Sequence, residues 1–195
     1  MTKPQGDHDN LFEGSLVRIA ALTEADATVM VPWSEDTVYL RLQGTNAGRP
    51  QSAAEIAADI SKLADDPDNL LYAIRTLAED RLIGTVGLGE IEWSNAAAWL
   101  SIGIGQRDDW GKGYGTDALR LILGYAFREL NLYRLTLTVL AYNERAIRLY
   151  ERAGFQREGV FREFGQRDGR RYDMYLYGLL RPEWQARTSA GTLST

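Results

Sequence analysis

The chain has 195 residues, 45% of them apolar, which suits a single domain with a sizeable core. A formal net charge of -5 and a pI of about 5.0 exclude the strong positive field of a general nucleic-acid binder and lean toward cationic small substrates over polyanions. The absence of cysteine and the single histidine, His8, exclude a disulfide framework, a thiolate or multi-histidine metal site and a cysteine nucleophile.

The opening "MTKPQGDHDN" is polar and lacks the apolar core of a secretory leader. No stretch reaches the roughly 20 apolar residues of a membrane span, so a soluble, cytoplasmic protein is expected. Residues 1–10 read as a flexible tail, 11–184 as the folded unit and 185–195 as a second flexible tail. Within the unit, "LVRIAAL" is a first strand, and Thr23 with Asp26 three residues on reads as a capping box opening a short helix. Residues 31–48 read as irregular and aromatic-bearing. "SAAEIAADISKL" carries Ile56, Ile60 and Leu63 on one helical face. Three strands follow, "LLYAIRTL", "RLIGTVGLGEIEW" and "AAAWLSIGIG", joined by the turns "AEDR" and "SNA".

Further on, Leu119, Ile122, Leu123, Ala126, Phe127 and Leu130 follow the spacing of a helix face. "RLTLTV" alternates as a strand should. "NERAIRLYERAGF" is a helix with Asn143 as N-cap and Gly154 as its stop. Two strands, 156–164 and 171–180, close the unit around the turn "GQRDG". Strands outnumber helices and come in runs, which predicts an α+β domain with a mixed sheet.

Between the strand "LSIGIG" and the next helix stands "DDWGKGYGTDAL", with glycines at 111, 113 and 115. Strand, glycine turn and helix start is the geometry of an anion cradle: unpaired N–H groups and the helix dipole face the ligand, and missing Cβ atoms let phosphate oxygens reach the main chain. The P-loop pattern fails, because Lys112 sits between two glycines. The dinucleotide pattern fails as well, because the glycines run G-x-G-x-G.

"WGKGYGTDAL", then "NERAIRLYERAGF", then Glu158 and Gly159, together resemble the GNAT superfamily of acyl-coenzyme A-dependent N-acetyltransferases, in particular its ribosomal-protein N-terminal and spermidine acetyltransferase branches. The superfamily motif (Q/R)-x-x-G-x-(G/A) maps onto Trp110, Gly111, Lys112, Gly113, Tyr114 and Gly115, with Trp110 departing from Gln/Arg. The resemblance implies a central mixed, mostly antiparallel sheet with a splayed strand pair, flanked by helices. It implies acetyl-CoA as acyl donor, held by that loop and Thr116, with the backbone of Ile102, Gly103 and Ile104 pairing with the pantetheine arm. Gly103 and Gly105 suit such close backbone approach. Asn143 would contact the pantetheine region, Arg145, with Arg148 beside it, would meet the 3′-phosphate, and Tyr150 would return a proton to the departing thiolate. Its ordinary pKa near 10 keeps it protonated at neutral pH.

Glu90 and Glu92 alternate in "GEIEW", which predicts two carboxylates on one strand face, either of them able to deprotonate the attacking amine. Spermidine-acetylating relatives often carry a glutamate where this chain has Trp99. The expected acceptor is therefore a small primary amine, a polyamine or a peptide N-terminus, with a shorter or more apolar amine favoured over spermine. No metal, nucleic acid or membrane is expected to take part. Homodimers are common in the resembled branches. A non-catalytic acyl-CoA sensor of the same fold is the alternative reading, and retention of both Asn143 and Tyr150 weighs against it.

Overall fold

The computed structural model describes residues 10–189. Seven strands form one sheet: β1 (Val17–Ala21), β2 (Leu70–Thr76), β3 (Leu82–Glu92), β4 (Ala97–Ile104), β5 (Arg134–Leu140), β6 (Gln156–Arg167) and β7 (Arg170–Leu180). Their order is β1-β2-β3-β4-β5-β7-β6, and every pairing is antiparallel except β4 with β5. Six α-helices accompany it: α1 (Ala27–Glu35), α2 (Thr37–Gln43), α3 (Ala53–Ala64), α4 (Tyr114–Gly124), α5 (Glu144–Ala153) and α6 (Arg181–Ser189). No helix among the described residues is long and apolar enough to cross a membrane.

Both faces of the sheet are covered. Ala73 and Ile74 are neighbours on β2, and Leu82 and Ile83 are neighbours on β3, yet each pair divides between two clusters. Alternation on a strand sends them to opposite faces. Ile74 and Ile83 join the main core under α4, α5 and α6, where Leu119, Ile122, Leu123 and Phe127 are almost fully buried. Ala73 and Leu82 pack with Trp33 and Tyr39 of α1 and α2 on the other side.

The segment 31–48 is not irregular: it holds most of α1 and all of α2. Pro32 lies inside α1 and interrupts the apolar spacing that marks a helix. The start of α2 is set by Asp36, whose carboxylate accepts from the N–H groups of Val38 at 2.9 Å and Tyr39 at 3.3 Å. The helix after the glycine loop ends in a widened π-type turn over Tyr125–Glu129. The closing hairpin is tighter than expected. Arg167 pairs with Arg170, and the two loop residues, Asp168 and Gly169, both have positive φ, as a type I′ turn requires.

The chain also stays folded past 184. In α6 Trp184 is buried against Phe127, ring centroids 5.3 Å apart, and Arg128 lies over its indole. One buried aromatic among polar neighbours carries no periodic signal, so this helix was illegible in the composition. Residues 1–9 and 190–195, which include most of both expected tails and His8, lie outside the described residues.

Candidate active site

β4 and β5 pair at only three positions, Ala97 with Arg134, Ala98 with Leu135 and Trp99 with Thr136. Beyond Trp99 they part, and a cleft of about 520 Å³ opens between Leu100–Ile104 and the Thr138–Val139 stretch of β5. Backbone polarity inside the cleft follows from alternation along β4. The N–H of Gly105 donates to Ile83 O at 2.8 Å, toward β3, whereas Ala96 O accepts from Tyr133 and Arg134 on the β5 side. Ile102 and Ile104 share the parity of Ala96, so their N–H and C=O groups turn into the gap. Trp110 confirms the direction, its Nε1 donating to Ile104 O at 2.7 Å.

The glycine loop stands at the mouth of the cleft. Gly111 (φ +79°) and Gly113 (φ +88°) are left-handed, a conformation that a Cβ penalises. Gly113 is the N-cap of α4, so the N–H groups of Tyr114, Gly115 and Thr116 are free at a helix N-terminus that lines the cleft. Gly115 is not left-handed, and a Cβ there would meet nothing nearer than 3.8 Å. The loop is pinned from behind. Asp109 is buried and held in two bonds by Arg81, at 2.8 and 2.9 Å, which keeps its carboxyl below its ordinary pKa. Asp117, in the first turn of α4, accepts from the N–H groups of Leu16 (2.7 Å) and Val17 (3.0 Å) and ties the helix to β1.

Helix α5 forms the far wall. Asn143 Oδ1 accepts from Ala146 N–H at 3.2 Å as the N-cap, while its Nδ2 donates to Leu42 O at 3.3 Å, joining α5 to α2. Two turns later Tyr150 is buried edge-on to Phe155, and burial alone pushes its hydroxyl up to about 12. The Arg145 guanidinium lies 3.8 Å from the Trp110 ring centre, and its burial lowers its pKa.

The structure thus gathers Ile102, Gly103, Ile104, Trp110, Gly111, Gly113, Tyr114, Gly115, Thr116, Asn143, Arg145 and Tyr150 around one cleft. It does not bring Lys112, Glu90 or Glu92 to the lining. Lys112 turns to Asp109 at 3.4 Å. The regular alternation expected of Glu90 and Glu92 is broken by a bulge between Gly89 and Glu92, with Glu90 at φ +48°. Glu92 accepts from Asn95 at 2.6 Å on the solvent side. Trp99 does line the cleft, at the point where the strands part.

Among the lining residues that sequence reasoning missed are Tyr39 and Gln43 of α2. They explain Gly103: a Cβ there would lie 2.8 Å from both the Tyr39 hydroxyl and Gln43 Oε1. Gly105 is likewise filled by the Trp33 ring, 2.1 Å from the Cβ position. These two glycines admit side chains from α1 and α2. The available signal was the aromatic content of residues 31–48 beside glycines at alternate positions of β4.

Residues 17–156 match the family described as "Acetyltransferase (GNAT) domain". The chain is 29% identical over 168 residues to the uncharacterized N-acetyltransferase p20 of Bacillus licheniformis, covering 86% of this chain and 93% of that one. It is 33% identical over 111 residues to the spermidine N(1)-acetyltransferase of Vibrio cholerae, covering 57% of this chain and 64% of the relative. Among solved structures, the spermidine N-acetyltransferase from Vibrio cholerae in complex with CoA and spermine superposes with a TM-score of 0.79 at 25% identity, covering 87% of this chain and 98% of that one. The family match spans well over half of the chain, and the splayed sheet, the glycine turn at a helix start and the tyrosine in the cleft agree with it: the chain belongs to the GNAT family of acyl-CoA-dependent N-acetyltransferases.

Proposed function

We propose that the cleft takes acetyl-CoA and transfers its acetyl group to a primary amine by direct attack. The observation that carries this reading is the parting of β4 from β5 beside a buried tyrosine, because unpaired backbone groups and a tyrosine hydroxyl then share one cavity. The free N–H groups of Tyr114, Gly115 and Thr116 suit the pyrophosphate, and Arg145 adds positive charge beside them. Ile102 N–H and C=O and Ile104 N–H suit the amide groups of the pantetheine arm. Acetyl-CoA supplies the activated acyl group as a thioester.

Tyr150 holds a proton that it can pass to the thiolate as the carbon–sulfur bond breaks. Its raised pKa keeps the hydroxyl protonated throughout the physiological range. Asn143 positions α5 and, through Leu42, fixes α2 against the cleft. Relatives that bear the names spermidine N(1)-acetyltransferase and, in Escherichia coli, [ribosomal protein uS5]-alanine N-acetyltransferase bracket the acceptors to be tried. The test is thiol release from acetyl-CoA with a panel of polyamines, amino acids, aminoglycosides and peptides with free N-termini. Turnover with at least one amine supports the reading. Acetyl-CoA binding without turnover on any of them would favour the sensor alternative instead.

A further inference from the structure

We infer that Tyr39 and Gln43 of α2 form the seat of the acceptor amine, and that this seat receives the amine as the uncharged free base; the inference rests on the acetyl-transfer reading above. Both side chains converge on the place that a side chain of residue 103 would occupy. The Tyr39 hydroxyl and Gln43 Oε1 are each 2.8 Å from that point and Gln43 Nε2 is 2.9 Å from it. They therefore stand on the face of β4 directly beside Ile102 and Ile104, whose backbone turns into the gap. Both line the cleft, and no hydrogen bond joins either polar end to another described residue. An oxygen from each is free to accept an N–H and orient the nitrogen lone pair.

The charge around the seat decides the protonation state of what enters. Among the described residues of the lining Asp109 is the single carboxylate, and Arg81 already binds both of its oxygens. Of the acids near α2, Asp36 is matched by Arg107 and Asp168 by Arg41. Arg145, Arg148 and Arg152 add positive charge to the same cleft, and Glu90 and Glu92 lie outside it. Among the described lining residues no unpaired carboxylate is left to hold an ammonium ion or take its proton. Burial pushes the hydroxyl of Tyr39, like that of Tyr150, up to about 12, so neither ionises in the working range.

The reaction balances with a neutral acceptor. Nitrogen bonds to the acetyl carbon and the carbon–sulfur bond breaks. Tyr150 gives its proton to sulfur, and the proton shed by nitrogen returns to the Tyr150 oxygen through solvent. A site that waits for the free base favours amines of low basicity. At pH 7.5 an α-amine, with a pKa of about 8, is roughly one-quarter free base, whereas an alkylamine near 10.4 is about one part in a thousand. The class of substrate assigned is thus an α-amine with an uncharged flank.

The experiment compares a tripeptide amide bearing a free N-terminus with spermidine, reading kcat/KM from pH 6 to 10 in the parent chain and in Tyr39→Phe, Gln43→Leu and Gln43→Glu. In the parent, kcat/KM should rise with pH and level off at the pKa of the acceptor itself, with the tripeptide ahead by at least about 100-fold at pH 7.5. Tyr39→Phe or Gln43→Leu should raise the acceptor KM at least about fivefold while calorimetry shows acetyl-CoA affinity unchanged. Gln43→Glu supplies the missing carboxylate and should narrow the gap between the two acceptors at least about tenfold. Preference for spermidine at pH 7.5, or an acceptor KM unmoved in both neutral variants, overturns the seat while leaving acetyl transfer standing. Absence of acetyl-CoA binding and of turnover in the parent overturns both readings together. If Tyr39→Phe does not fold, the two Gln43 variants decide alone.

Discussion

The indole of Trp110 donates a 2.7 Å hydrogen bond to the carbonyl of Ile104, closing the one acceptor of the last β4 residue that would otherwise open into the cleft. The same ring carries the Arg145 guanidinium on its face. Trp110 therefore joins the end of β4, the glycine loop and α5 through two different interactions. A Gln or Arg at this motif position could make the hydrogen bond but not the aromatic contact. Trp110→Phe should retain the face and lose the donor, lowering stability by about 1 kcal/mol in urea unfolding. In a double-mutant cycle, Trp110→Leu and Arg145→Ala should couple by about 0.5–1 kcal/mol, and strict additivity would show the contact to be inert.

The three alternate glycines answer to different requirements, and substitution separates them. Gly113 has φ +88° and only 3.1 Å between its Cβ position and Leu16 Cδ1, so Gly113→Val should cost stability and weaken coenzyme A binding at least about tenfold. Gly115 has neither constraint in the folded chain. Gly115→Ala should leave stability unchanged or raise it by up to about 1 kcal/mol, yet weaken coenzyme A binding at least about tenfold, because the ligand and not the fold needs the bare backbone there. Equal affinity in a stable Gly115→Ala protein would remove the helix start from the phosphate site.

Tyr150→Phe deletes one oxygen and keeps the ring against Phe155. The expected result is a fall in kcat of about 10²–10⁴, with acetyl-CoA affinity retained. Because the hydroxyl titrates near 12, the kcat profile of the parent should show no loss attributable to Tyr150 up to about pH 11. A variant that keeps most of its kcat under rate-limiting chemistry would leave Tyr150 as packing alone.

Asp117 makes stability depend on acid. Burial raises its pKa, but the N–H groups of Leu16, Val17 and Ser15 and the Arg120 side chain together bring it below the ordinary value. A depressed carboxyl contributes stability that is fully present above its unfolded pKa of about 4 and is lost as pH falls through the folded value. Asp117→Asn should therefore cost about 1–3 kcal/mol at pH 7 by denaturant unfolding, with the difference from the parent shrinking below pH 4. A constant difference across that range would contradict the assignment.

Helices α4 and α5 were legible because local rules agree: an apolar face at helical spacing, an Asn at one end of α5 and Gly154 in the left-handed region at its other end. The glycine turn at the start of α4 was legible for the same local reason. The splay was read through the family resemblance and not from local rules, since it depends on β4 meeting a parallel partner more than 30 residues away and then leaving it. Pro32 hid α1, and α2 was hidden because seven residues are too few to show a helical period, and with it went Tyr39 and Gln43. Glu90 and Glu92 seemed well placed by strict alternation, which the bulge after Gly89 breaks. The bulge was set by tertiary pairing, whereas α2 was lost to a weak local pattern.

Past Trp99, the facing rims of β4 and β5 amount to two edge strands hidden in the middle of a sheet. An open edge on a protein surface is a template on which another chain can add itself. Here α2, α4 and α5 wall the opening, so a folded neighbour has no access to it. A slender, flexible guest that carries its own amide groups can still thread between the walls and complete the ladder. The same enclosure that closes these two edges to a neighbouring strand leaves room only for a narrow chain.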